Sequence, residues 1–273
     1  MALSKKQILY DGAFKIVDSG KEISISEFTF RILTEIGGIS RAESAEYISK
    51  FERSILNNLK KQNDELQRRG ISIVGNIIGN RISWISASPM QKVLWEIRPI
   101  YLKIIESLSD EKFEALCCVC INLIGGQAWR TKNKGDGNVD LYGIVKTKMD
   151  NHIFGESNKF RIVGQCKNYS HPESITNFEA FFRALENVKF QAPRVSKEIP
   201  NEFIRENGPI FGWYICKDGF QSGIHDEARR HGVVISDKYD LVEIMLKLEL
   251  HGISSLKSRC HLNLTREIKK FIK

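Results

Sequence analysis

No window of this chain approaches the run of about 18 apolar residues needed to cross a bilayer. The first residues, Met1-Ala2-Leu3-Ser4-Lys5-Lys6, have no apolar core behind their lysines, so a secretory leader is not expected. The sequence reads as a soluble, cytoplasmic protein with no membrane partner. Zinc-ligand spacing is also missing. Of six cysteines, Cys117, Cys118 and Cys120 fall within an apolar helical stretch, and no matching His/Cys pair follows them. They are expected to be buried reduced thiols acting as small hydrophobes. There is no internal repeat and no low-complexity segment. No Gly-x4-Gly-Lys-Ser/Thr motif occurs, so ATP-driven movement would need a partner protein.

What is present is an ordinary globular composition: 273 residues, 42% hydrophobic and 27% charged. That length allows two small domains or one large one. The net charge of +8 and pI of about 9.1 suit a polyanionic partner. Neutralising phosphates releases condensed counterions, but many basic proteins never meet nucleic acid.

Residues 1–108 look mainly helical. Ser26-Glu27 opens an amphipathic run through Ile36, stopped by Gly37-Gly38. Ser40, with Glu43 three residues on, fits a capping box for a short helix from Arg41 to Ile48. A longer helix is expected from Phe51 to Arg69, with Phe51, Ile55, Leu59 and Leu66 on one face. Ile71–Val74 and Arg81–Ile85 alternate around a Gly/Asn-rich turn at Gly75–Asn80, the pattern of a hairpin. Helices followed by a hairpin suggest a winged-helix-like domain. Either it recognises DNA, with Arg68, Arg69 and Arg81 near phosphates, or it serves packing and assembly. A helical connector from Ser88-Pro89 is expected to break or kink at Pro99.

Residues 109–250 alternate strand-like and helix-like segments, the signature of an α/β or α+β layer architecture, of which α/β is the expectation. Phe113, Leu116, Cys117, Cys120, Leu123 and Ile124 form a helical stripe with Glu114 at its flank, ended by Gly125-Gly126. Lys134-Gly135-Asp136-Gly137-Asn138 permits a tight turn with positive φ. That turn delivers Asp140 to a strand, Val139–Val145. The next strand is Phe160–Lys167. There Gln165 and Lys167 share one face. An acid, an amide oxygen and a lysine at one spot suit phosphodiester hydrolysis. Hard oxygens hold a divalent cation, and a cation charge stabilises the phosphorane. Further elements are expected as helices at Glu173–Asn187, with Ile175, Phe178, Phe182 and Leu185 inward, at Phe220–Arg230 and at Asp240–Leu248. Strands are expected at Pro209–Cys216 and Val233–Ile235. His171, Lys189, Arg194 and Lys197 follow the lysine strand and could meet a DNA backbone. Residues 251–273 form a basic tail.

Phe113-Glu114-Ala115-Leu116, Asp136-Gly137-Asn138-Val139-Asp140, Gln165-Cys166-Lys167 and Cys216-Lys217-Asp218-Gly219-Phe220, in that order, resemble the catalytic domain of Mrr-type restriction endonucleases. These belong to the PD-(D/E)XK superfamily. The resemblance spans about residues 111–247. It implies a restriction-endonuclease-like central mixed sheet flanked by helices. It also implies Asp140 as principal metal ligand, Gln165 in place of the second acid, and the Cys166 carbonyl as a further ligand. Lys167 would be the catalytic lysine, and Glu114 would reach the metal directly or through water. Asp136 would shape the turn. The ion would be Mg²⁺, or Mn²⁺. The sequence departs from the family pattern at Asn138, where a second glycine is usual. Asn tolerates the left-handed region better than most residues. The implied activity is metal-dependent DNA cleavage in restriction or anti-phage defence, with DNA, a second copy and defence proteins as partners. Two alternatives stand beside it. One is a winged-helix regulator or assembly subunit with an inactive nuclease domain, and the other is an RNase on the same scaffold.

Overall fold

The computed structural model describes residues 5, 9, 22–68, 75–84, 89–131, 138–146, 159–190, 199–249 and 257–272. The chain divides into two compact units, Met1–Leu102 and Lys103–Lys273.

In the first unit, strand β1 (Glu22–Ser24) leads into helix α1 (Ile25–Arg31), extended by a π-helical turn, Ile32–Ile36. The cap is Ser24, whose hydroxyl accepts the Glu27 N–H at 3.0 Å. The helix thus starts earlier than the Ser26 expectation, because Ile25 joins Phe28, Ile32 and Leu33 in the core. Gly38, at φ +64°, follows the helical stretch as expected. Ser40 accepts the Glu43 N–H at 3.2 Å. The two helices expected after it are one helix, α2 (Arg41–Arg68). No glycine or proline interrupts it, and the rings of Tyr47 and Phe51 pack at 5.0 Å across the expected break. Ile55 and Leu59 are buried, whereas Phe51 is on the exposed side; Leu66 lies outside the described side chains. The hairpin is shifted. Strands β2 (Gly75–Ile78) and β3 (Arg81–Trp84) pair across Gly79-Asn80, with Gly79 at φ +60°. Most of the expected turn is therefore strand, since a glycine at positive φ closes a two-residue loop. Arg69, Ile71–Val74 and Ile85 lie outside the described residues. The sheet order is β1-β3-β2.

Helix α3 (Pro89–Glu106) begins with proline in its first turn, where the missing N–H costs nothing. It runs through Pro99 without ending. Burial of Ile97, Tyr101 and Leu102 around that point outweighs the one hydrogen bond that proline removes.

The second unit is built on five strands: β4 (Gly126–Arg130), β5 (Leu141–Lys146), β6 (Lys159–Lys167), β7 (Ile210–Cys216) and β8 (Val233–Ser236). They lie in that order, antiparallel from β4 to β6 and parallel from β6 to β8. The helices are α4 (Asp110–Leu123), α5 (Ile175–Lys189), α6 (Asn201–Arg205), α7 (Ser222–His231), α8 (Lys238–Glu249) and α9 (Lys257–Lys269). This is the expected mixed sheet flanked by helices. Helix α4 lies against β4, β5 and β6. A Cβ at Gly126 or Gly143 would meet Ile121 at 2.8 or 2.7 Å, so the two glycines set that close approach. Helices α8 and α9 pack on α4. Leu264 and Ile268 of α9 are buried, so part of the basic tail is a packed helix.

The opposite face carries Tyr142, Val163 and Tyr214 under Phe178, Phe181, Leu185, Phe203 and Ile224. Phe181 holds the core place that Phe182 was expected to take, and Ile175 is exposed. Phe182 instead rests on the His231 ring, 3.8 Å between centroids. The short α6 has no periodic signature, yet it sets Phe203 edge-on against Tyr142 at 5.1 Å. Cys117, Cys118 and Cys120 are buried and free, as expected, and so are Cys166 and Cys216; the Cys260 side chain lies outside the described set. Among the described residues, no helix is long and apolar enough to cross a membrane.

Candidate active site

The site forms where β5 starts beside the carboxyl end of β6. Asn138 adopts φ +57°, the one non-glycine residue at positive φ among those described. It turns the chain into β5, the role expected of it. Thr131 then holds the entry, its N–H donating to Asp140 O at 2.9 Å and its hydroxyl to Val139 O at 2.9 Å. The Asp140 N–H donates to Gly164 O at 2.8 Å. Gly164 faces Leu141 in the register, and a Cβ there would meet the Leu141 side chain at 2.5 Å. The two strands approach here, and a side chain at 164 would have to displace that of Leu141.

That approach puts Asp140 against Gln165. One Asp140 oxygen, Oδ2, accepts the Gln165 amide N–H at 2.6 Å and the Cys166 backbone N–H at 2.7 Å. Gln165 is 3% exposed, and its Oε1 has no hydrogen-bond partner among the described residues. A buried carbonyl oxygen without a donor carries a cost of roughly 1–3 kcal/mol, and it is an open position for a cation or a donor. Asp140 Oδ1 likewise makes no hydrogen bond among the described residues. Burial raises the Asp140 pKa; the Cys166 N–H and the charges of Lys167 and Arg130 pull the other way. Lys167 ends β6, half-buried, and no hydrogen bond or ion pair engages its ammonium among the described residues.

Glu114 is held by Arg130 at 3.3 Å. Arg130 also pairs with Glu111 at 2.9 Å and donates through Nε to the Phe271 carbonyl at 2.9 Å. Its charge acts on Asp140 as well, so Arg130 links Glu114 electrostatically to the site. Cys166 contributes its backbone here, because its thiol meets Cys117. Burial pushes the Cys117 thiol up to about 11 and Cys166 well above its ordinary value, which leaves both unreactive. Asp136, Arg194 and Lys197 lie outside the described residues. Lys189 pairs with Glu186 at 2.9 Å, Arg81 with Glu22 at 3.2 Å, and His171 stacks on Tyr169. Among the described residues, no three His, Cys, Asp or Glu side chains gather as a metal site. A site of one carboxylate and one amide has too few such groups to register that way.

Two polar features beside the site were not expected from sequence. Glu173 is buried and accepts from Ser174 N at 2.7 Å, Asn177 Nδ2 at 2.9 Å and the Tyr214 hydroxyl at 3.1 Å. Tyr214 lies opposite Gln165. Burial, then Glu173, holds the Tyr214 phenol well above its ordinary pKa. The second is an ion cluster past the ends of β7 and β8, in which the buried Lys238 ammonium meets Glu106 and, at 2.9 Å, Asp218. Lys217 reaches Glu106 at 3.8 Å. A local signal existed only for Lys217 and Asp218, within the Cys216–Phe220 motif.

The family described as restriction endonuclease, of the Mrr catalytic type, matches residues 105–195. Residues 105–195 carry a restriction endonuclease-type domain. All of Glu114, Asp140, Gln165 and Lys167 fall inside it. A solved structure, the MspJI restriction endonuclease in complex with a 27-mer oligonucleotide, is similar over 71% of this chain at 15% identity, with a TM-score of 0.40. The chain spans 41% of that one. No curated protein matches the sequence.

Proposed function

We propose that the restriction endonuclease-type domain is a divalent-metal-dependent DNA endonuclease acting through Asp140, Gln165 and Lys167. The observation that carries this reading is the incompleteness of the cluster. Among the described residues, a buried amide oxygen without a partner and a carboxylate with one open oxygen lie together, beside a lysine that makes no ion pair and whose charge acts on Asp140. Hard oxygen donors fit Mg²⁺ or Mn²⁺, with the Cys166 carbonyl as third donor and Glu114 reaching it directly or through water. A bound divalent ion supplies Lewis acidity and lowers the pKa of a water. Asp140 holds the negative charge of the site and orients Gln165. The Gln165 amide, locked by its N–H on Asp140, presents Oε1 outward from that bond. The Lys167 ammonium stabilises the charge that builds on the phosphorane oxygens. Because Gln165 is neutral, the donor set carries little charge, and a DNA phosphate would complete it. Duplex cleavage takes two cuts, so two copies would act together, in restriction or anti-phage defence.

For the N-terminal unit we propose a winged-helix-like role in DNA targeting or assembly. The order β1-β3-β2, with helices between β1 and β2, supports it.

The test is plasmid and linear DNA with wild type, Asp140→Ala and Lys167→Ala, each with Mg²⁺, Mn²⁺ or EDTA, and an RNA arm. Cutting that needs metal and both residues is expected. Metal-independent cutting, or full activity in both variants, would sink the site. Cleavage of RNA alone would move the reading to a ribonuclease.

A further inference from the structure

The segment that leaves the lysine strand is held at both ends and exposed between them. At one end, Asn168 Nδ2 donates to Leu108 O at 2.9 Å and Asp110 Oδ1 at 3.1 Å. At the other, Glu173 N donates to Gly219 O at 2.9 Å and Gln221 N to Glu173 O at 3.1 Å, forming a β-bridge with Phe220. The Glu173 carboxylate is itself fixed by Tyr214, Asn177 and Ser174. Residues 169–172 are all exposed between these anchors. Two of them are aromatic. The rings of Tyr169 and His171 lie parallel, 1° apart in plane, with centroids 5.2 Å apart.

Both rings keep access to solvent, with Tyr169 at 36%, and among the described residues no further ring stacks on the pair. Tyr169 follows Lys167 by two residues, at most about 7 Å of chain. It is also near enough to Tyr214, the register partner of Gln165, to act on that phenol electrostatically. The pair therefore borders the Asp140–Gln165–Lys167 cluster. A flat, pre-stacked aromatic surface beside a phosphodiester site has one natural ligand, the face of a nucleobase. In a paired duplex both faces of a base are covered by its neighbours. Only an unpaired or extruded base offers one.

We infer that Tyr169 and His171 form a stacking platform for an unpaired nucleobase next to the scissile phosphate, so that the site favours single-stranded or locally opened DNA. This rests on the nuclease reading of the same site. Anchoring at Asn168 and Glu173 removes most of the ordering cost of stacking. The ring, not the phenol hydroxyl, carries the interaction.

The test uses the full chain in EDTA, with oligonucleotides carrying 2-aminopurine, whose fluorescence is quenched by stacking. Wild type is expected to quench the probe in a single strand and to bind it more tightly than the matched duplex. Tyr169→Ala, and Tyr169→Ala with His171→Ala, should lose about tenfold in single-strand affinity and lose the quench. Tyr169→Phe should keep both. Duplex affinity should change less than the single-strand value. In Mg²⁺, Tyr169→Ala should raise KM for single strands with kcat little changed. Absence of quenching in wild type overturns the platform. So does an unchanged single-strand affinity in the double variant, or an equal loss on duplex and single strand. Lys167→Ala separates the two readings. It should abolish cleavage and leave the quench intact. No cleavage by wild type in Mg²⁺ or Mn²⁺ is a failure of the nuclease reading, cleavage that survives Lys167→Ala is a failure of the role given to Lys167, and in either case the quench alone decides the platform.

Discussion

Two buried polar clusters sit near the carboxyl ends of the sheet's parallel strands, and they are built in opposite ways. Around Lys238, each charge has a counter-charge: Glu106 and Asp218 hold its ammonium, and Lys217 adds to Glu106. Around Asp140, the set is left open. Among the described residues, Gln165 Oε1 has no partner, and the Lys167 ammonium, whose charge acts on Asp140, makes no ion pair or hydrogen bond. Burial is common to both, so burial does not mark the functional one. On the proposed function, the open cluster keeps positions for a ligand at the expense of stability, and the closed one maintains the fold.

The largest expected effect tests the open cluster. Asp140→Asn keeps acceptors for Gln165 and Cys166 but removes the charge. Cleavage should fall by about 10³-fold or more, measured as initial rate on plasmid at saturating Mg²⁺. A rate within tenfold of wild type would break the contrast. In the closed cluster, Lys238→Met leaves Glu106 and Asp218 facing each other without their shared cation. Stability should drop by about 3–5 kcal/mol in urea denaturation, with cleavage per folded molecule unchanged. The lysine pKa is pulled down by burial but held above its ordinary value by Glu106 and Asp218. Its stabilisation is thus fully present below the ordinary lysine pKa and is lost as pH rises through the raised value. The variant should lack that alkaline loss.

A smaller effect sharpens the open side. In the metal-free protein the Asp140 pKa is raised, first by burial, so its carboxyl should titrate above the ordinary carboxylate value when followed by NMR in EDTA. Arg130→Gln removes a charge that opposes this rise, so the titration should move to still higher pH. Movement the other way would detach Arg130 from the site. The smallest effect is on stability. A buried carboxyl with a raised pKa binds more protons folded than unfolded, so its charge costs stability as pH rises through that window. Asp140→Asn should then melt at the same temperature as wild type, or roughly 2–4 °C higher, at neutral pH. A dead enzyme that is more stable would be the clearest sign that the open cluster exists for chemistry.

Local residues carried most of what could be read in advance. The alternation of Gln165 and Lys167 and the turn chemistry of Asn138 bear on a few neighbouring residues, and periodicity reports such relations directly. Helix joins were less legible. Nothing at Ser49-Lys50 marks a continuation or a break, and Phe181 and Phe182 are equally apolar, so only packing chooses between them. The charge partners were hidden altogether. Arg130 reaches Phe271 and Lys238 reaches Glu106 across more than half the sheet-bearing unit's sequence, and pairs so separated leave no spacing to detect. Glu173 was hidden for another reason. It follows a proline in a polar segment, where a buried carboxylate looks like any solvated one.

Gly164 takes no part in any of this chemistry, yet its place is tightly bounded. The Leu141 side chain occupies the space where even a methyl group would stand, and the Gly164 carbonyl holds the Asp140 backbone. Alanine at 164 would have to displace the Leu141 side chain, next to Asp140 in the strand. In a lineage of such chains, a residue with nothing to donate or accept from its side chain would be inherited as strictly as the acid it positions.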